Sequence, residues 1–309
     1  IELIERLTRT GLSTIEAGSF VSPKWVPQMA NSSDILQHIV QNKSTSPVPV
    51  SYSFLVPNLR GLEDAAGILK ANAGGFSSQL EPGGDGESKP GVEMAVFAAA
   101  TESFSRRNLN CDIQTSLDRF RAVIQEAKGL GLRVRAYISV VLGCPFEGYD
   151  VDPHRVAEMA AGLLESGADE VSLGDTTGMG TAPRTGMLLR SLSAAGIRTE
   201  DLAMHFHDTY GQSLVNTAVA LEHGVRTFDS AVAGLGGCPY SPGATGNVAT
   251  ENMVYFMETL GMSTGVDLDA VADIGQWISA ELGRENASTV GRAVLGARAR
   301  GAAEAAQGN

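Results

Sequence analysis

Met204-His205-Phe206-His207-Asp208 sets two imidazoles two residues apart at the end of a β-type run. Alternate residues of a strand share a face, so the two rings would project together. A pair of imidazoles on one face is half of a divalent-metal site. The rival reading is one core histidine and one rim histidine. With only five His in the chain, an H-x-H spacing favours the metal. Asn247, in Gly243-Ala-Thr-Gly-Asn247, would add an amide oxygen, although alone it reads as a turn residue. Two His with oxygen donors suit Mg²⁺ or Mn²⁺ better than structural Zn²⁺.

Other side chains fall beside this pair. Gly234-Leu-Gly-Gly-Cys-Pro-Tyr240 presents Cys238 on a glycine-rich loop. A tuned thiol there would exchange a proton with a carbanion, and the alternative is an inert half-buried Cys. Glu16 and Asp175 end two further β-type runs and are expected to face the same mouth. Each could instead cap the following helix or pair with a barrel Arg, a serious rival for Asp175, which Thr176 and Thr177 follow. Arg135 and Tyr137 share a strand face and would bind a carboxylate and a hydroxyl, with Thr176 beside them; an internal ion pair and a packed ring compete with that reading.

Short β-type runs alternate with helical stretches, which is the pattern of parallel βα units. The runs are 14–16, 50–55, 93–98, 133–141, 170–173, 203–206 and 227–231. The helical stretches are 33–41, 59–72, 113–128, 153–166, 183–195 and 212–223. Most chemistry-bearing residues follow strands, as in a TIM (β/α)8 barrel. Seven strands are visible where eight are expected, and an open sheet leaves exposed edges. The chain begins on Ile1 inside an amphipathic helix ending at Gly11, so a missing upstream strand is expected. Residues 1–260 then form the barrel, and 261–309 form extra C-terminal helices with a frayed Ala-rich tail. The Gly/Ser/Pro-rich stretch 73–91 reads as a surface insertion.

Composition narrows the partners. The 309 residues carry a formal charge of −12, which argues against a phosphate backbone. No apolar run approaches the roughly 20 residues of a membrane helix. Three scattered Cys make no disulfide framework.

Taken together, EAGSFVSPKWVPQMA, VPNLRG, TESFSRRNLNC, VVLGCPFEG, SLGDTTGMGT, HFHDTYGQSL and VAGLGGCPYSPGATGNVATE resemble the 3-hydroxy-3-methylglutaryl-CoA lyase family from Ile1 to about Gly283. The resemblance implies that 3-hydroxy-3-methylglutaryl-CoA is cleaved to acetyl-CoA and acetoacetate, a step of leucine breakdown and ketone-body formation. It makes His205, His207 and Asn247 ligands of Mg²⁺ or Mn²⁺. Cys238 becomes the proton donor to the departing enolate, and His205, Asp175 and Glu16 become active-site residues. It also implies a homodimer, in the mitochondrial matrix of a eukaryote or the cytoplasm of a bacterium. The family's first strand carries an Arg-Asp pair with no counterpart in residues 1–309, so impaired activity is expected, by about 3–4 kcal/mol of transition-state stabilisation. An acyl-CoA/keto-acid condensing synthase of the same superfamily and a non-catalytic binding relative are the other readings. The residue between the histidines, Phe206, is expected to turn away from the metal.

Overall fold

The computed structural model describes residues 1–42, 46–77, 89–237 and 246–307. Seven parallel strands, β1 (Thr14–Ser19), β2 (Ser51–Leu55), β3 (Gly91–Ala99), β4 (Arg133–Ser139), β5 (Glu170–Asp175), β6 (Leu202–Phe206) and β7 (Thr227–Asp229), pair in chain order. They form a curled half-barrel. Helices α1 (Glu2–Thr8), α2 (Ser32–Gln41), α3 (Leu59–Ala71), α4 (Glu102–Leu109), α5 (Ile113–Gly129), α6 (Pro153–Glu165), α7 (Ala182–Ala194) and α8 (Ser213–Glu222) alternate with the strands. Three more, α9 (Thr250–Thr259), α10 (Leu268–Glu281) and α11 (Thr289–Gln307), follow β7.

A parallel sheet covered by helices must be apolar on its helix-facing side, and the sequence supplies this. Ile15, Phe54, Met94, Val134, Leu173 and Met204 are all buried. The helices answer with i, i+3, i+4 stripes: α2 buries Leu36, Ile39 and Val40, and α6 buries Val156, Met159, Ala160 and Leu163. Capping side chains fix their starts. Asp112 accepts from Thr115 N–H at 2.8 Å, and Asp152 accepts from His154 N–H at 2.9 Å ahead of α6.

All seven expected strands are present. β7 ends at Asp229 and not at Ala231, because Ala231 leaves the sheet to bridge Ala249. The short polar helix α4 escaped the sequence pattern, its eight residues burying only Phe104 and Ser105. The tail is a correction. It stays helical to Gln307 with its last residues exposed, since Ala, Arg and Glu favour helix. The expected insertion lies largely outside the described residues, but its flanks are paired: Ser77 N–H donates to Pro90 O at 2.9 Å and bridges Gly91.

Among the described residues β1 and β7 each have only one neighbour, and they do not pair with each other. A cavity of about 1200 Å³ opens beside these two edges, reached by Leu12, Glu16, His205, Phe228, Asp229 and Asn247. The outer layer does close on this side. Asp267 N–H donates to Thr10 O at 2.7 Å, and the Arg6 guanidinium lies 4.0 Å over the Trp277 ring of α10.

Candidate metal centre and its carboxylate floor

His205 and His207 straddle the C-terminal end of β6, and their ring centroids are 5.4 Å apart with planes tilted by 39°. His205 lines the cavity, and His207 is 5% exposed beside it. Phe206 points the other way and is 1% exposed within the core. The chain returns at Asn247, which bridges His207 in antiparallel fashion, while Val248 N–H donates to Phe206 O at 3.0 Å. A turn 40 residues downstream in sequence is therefore bolted against the histidine pair.

Beneath the pair runs a charged floor that sequence reasoning only partly found. His205 is in register with Asp229 across β6 and β7, and His205 Nδ1 lies 3.1 Å from Asp229 Oδ2. Ser172 Oγ donates to the same oxygen at 2.8 Å, and Arg135 donates to Oδ1 at 2.6 Å. Arg135 also pairs with Glu170 at 2.8 Å, so its guanidinium is committed inside the barrel and is not offered to a ligand carboxylate. Tyr137 donates to Glu16, whose side chain is otherwise open to the cavity. Burial pushes the Asp229 carboxyl up, but Arg135 and the His205 bond outweigh it and hold the group well below the usual carboxylate range. For His205, burial opposes the charge, yet the bond to Asp229 and that residue's charge raise its pKa. Asp229 was invisible as a motif because its partners lie 24, 57 and 94 residues away. The signal that would have found it is its place level with His205 on the neighbouring strand.

Asp175 does not open to the mouth. It is fully buried at the end of β5, and both carboxylate oxygens accept from Gly180 N–H at 3.0 and 3.1 Å. A methyl at Gly180 would lie 2.6 Å from Asp175 Oδ2, so only glycine admits this closure. The residue pins the loop between β5 and α7; the cap position of α7 belongs to Thr181. Thr176 Oγ1 accepts from Val140 N–H at 3.0 Å, holding a β-branched residue at φ +58°, a conformation such residues rarely take. Cys238 lies outside the described residues.

Burial pushes the Asp175 carboxyl up to about 6. Between pH 4 and 6 the folded chain thus holds a proton that the unfolded chain, with an ordinary carboxyl, has released. Stability contributed through this group therefore falls as pH rises through that window. Asp175→Asn is expected to flatten the fall by about 2–3 kcal/mol, measured as the pH dependence of urea unfolding; parallel curves for the two proteins would refute it.

The residues present fit a divalent cation. Asn247 Nδ2 donates to Leu235 O at 3.1 Å, which leaves Oδ1 buried and without a hydrogen-bond partner among the described residues. A buried carbonyl oxygen left in this way is costly unless something electropositive meets it. Among the described residues no group of three or more His, Cys, Asp or Glu is arranged to hold a metal ion.

The HMGL-like family profile matches residues 1–278. The chain is 49% identical over 302 residues to hydroxymethylglutaryl-CoA lyase of Pseudomonas mevalonii, covering 97% of this chain and 90% of that protein. The crystal structure of hydroxymethylglutaryl-CoA lyase from Pseudomonas aeruginosa superposes with a TM-score of 0.82 at 47% identity, over 96% of this chain and 89% of the other. An HMG-CoA lyase from Acinetobacter baumannii, solved with coenzyme A and 3-methylmalate, superposes at 0.80 and 32% identity, over 95% and 87%.

Proposed function

This chain belongs to the HMGL-like family, and on that premise we propose that it cleaves 3-hydroxy-3-methylglutaryl-CoA to acetyl-CoA and acetoacetate at the His205–His207–Asn247 centre. The observation that carries this reading is the convergence of two imidazoles and a buried, unpartnered amide oxygen above a carboxylate floor. His205, His207 and Asn247 would hold the cation, Mg²⁺ or Mn²⁺. When bound it would acidify the substrate's tertiary hydroxyl and polarise the carbonyl beside it.

The protein's own groups handle the protons. Glu16, open to the cavity and oriented by Tyr137, is placed to take the hydroxyl proton. The C2–C3 bond then breaks, its electron pair passes into the thioester as an enolate, and C3 becomes the ketone of acetoacetate. Cys238 returns a proton to C2, giving the methyl group of acetyl-CoA. Asp229 fixes the His205 ring, and Asp175 and Thr176 hold the loops of the rim. Arg135 and Tyr137 act from within this floor, and their part in substrate binding is to set the position of Asp229 and Glu16. Among the described residues no helix is long and apolar enough to cross a membrane. Relatives include bacterial, mitochondrial and cytoplasmic lyases, and a matrix or cytoplasmic location is part of the reading, as is a homodimer, which the family resemblance alone implies.

The test is product formation. Incubation with 3-hydroxy-3-methylglutaryl-CoA and Mg²⁺ or Mn²⁺ is expected to release acetyl-CoA and acetoacetate in equal amounts, and chelation is expected to stop it. Cys238→Ala is expected to lower that rate by roughly 10²–10⁴-fold while Mn²⁺ still binds. Condensation of acetyl-CoA with a keto acid, without cleavage, would replace this reading with the synthase. Metal binding with neither reaction, even in a protein that also carries the family's Arg-Asp strand ahead of Ile1, would overturn it.

A further inference from the structure

Glu251 stands in the first turn of α9, four residues beyond Asn247, and is fully buried. It does not line the cavity. Both carboxylate oxygens accept from one donor, Ala233 N–H, at 3.1 Å. Ala233 is not an ordinary residue for that position: it has φ +56°, in the left-handed region where side chains other than glycine are unfavourable. Its carbonyl is held as well, accepting from Ala287 N–H at 3.2 Å. Around the carboxyl the C-terminal helices close in. A methyl at Gly275 of α10 would lie 2.3 Å from Glu251 Oε1, and one at Gly291 of α11 would lie 3.3 Å from it. Ser288 lends a hydrogen bond, and burial pushes the group up to about 7.

The backbone just beyond Ala233 gives this turn its importance. Two residues on, Leu235 O accepts from Asn247 Nδ2 at 3.1 Å, the contact that leaves Oδ1 as the free end of the amide. A left-handed residue held in place by its N–H determines where the next carbonyls point. We propose that Glu251 is a positioning residue: by clamping the Ala233 turn it sets Leu235 O against the Asn247 amide and so decides which end of that amide is free. The C-terminal helices, which contribute no residue to the metal centre, act on it through this carboxyl. The orientation of the amide can be read without any metal, and its consequence for Mn²⁺ rests on the proposed function.

Two readouts test the inference in the full chain. In the metal-free protein, the solvent-exchange rate of the Asn247 side-chain amide protons, followed by NMR, is expected to rise at least tenfold in Glu251→Ala. Mn²⁺ affinity is expected to fall at least tenfold in parallel. Adding Ala233→Gly should recover most of both losses, because glycine keeps the left-handed turn without a clamp. In an Asn247→Ala background the Glu251 substitution should no longer change Mn²⁺ affinity, whereas a merely structural residue would still lower it. If Glu251→Ala does not fold, Glu251→Gln carries the same test with smaller changes in the same direction. Amide exchange unchanged in the folded variant, or no recovery with Ala233→Gly, would overturn the proposal. An amide that responds in a protein that binds no Mn²⁺ would support the clamp and refute the metal centre.

Discussion

His207→Ala is expected to lose stoichiometric Mn²⁺ binding, with affinity reduced more than roughly 100-fold. Replacing the partners that merely orient a metal ligand already costs about 10–100-fold, and removing a ligand must cost more. His207 is the cleaner choice of the two histidines. His205 is tied to Asp229 and through it to Arg135, so its removal would disturb an internal charge network. His207 lies against the Asn247 turn and is 5% exposed. Electron paramagnetic resonance of free Mn²⁺ measures the affinity directly, and circular dichroism checks that the variant is folded. Wild-type affinity in a folded His207→Ala protein would remove the histidine pair from the metal centre.

Asp229→Asn should be nearly as damaging, although the change is one atom and Asp229 acts only through His205. Arg135 needs an oxygen at the Oδ1 site, so the new amide nitrogen takes the Oδ2 site facing His205 Nδ1. That nitrogen donates, which forces Nδ1 to accept and moves the imidazole proton to Nε2. A protonated Nε2 has no lone pair for a cation. The expected outcome is a 10–100-fold loss of Mn²⁺ affinity, with ¹⁵N shifts reporting the exchanged tautomer of His205. Asp229→Ala is a poorer probe, since it removes one of the two carboxylates paired with the buried Arg135 guanidinium and so adds a loss of stability to any loss of affinity. Unchanged ¹⁵N shifts and affinity in the Asn variant would show that Asp229 does not set the ring.

The histidine pair was legible because its geometry is local: two residues of one strand, one face. The strands were legible for the same reason, since a helix-covered parallel strand is a short apolar run between turn signals. The extent of helix α11 was not, because only Gly291 is buried and no stripe marks it; it packs on α10, where Arg298 pairs with Asp273 at 3.0 Å. The partners of Arg135 and Asp175 were not legible in the sequence, which left an internal ion pair and a cap open beside the binding and catalytic readings. Whether an arginine offers itself to a ligand or to Glu170 and Asp229 depends on strands far apart in sequence. Whether an aspartate faces a mouth or a loop depends on how that loop folds back, and here Gly180 brings its N–H onto Asp175. Asp229 and Glu251 make the same point more strongly. Each is a single carboxylate in an unremarkable run, and each gains its meaning from a strand register or a strained turn that only the assembled fold creates.

A crystal of the chain soaked in Mn²⁺ gives the most direct test, read in the anomalous difference map. One peak is expected, about 2.0–2.3 Å from an imidazole nitrogen of His205, an imidazole nitrogen of His207 and Oδ1 of Asn247. A peak elsewhere, or a map with none while Asn247 Oδ1 turns to a protein donor, would contradict the assignment of this centre.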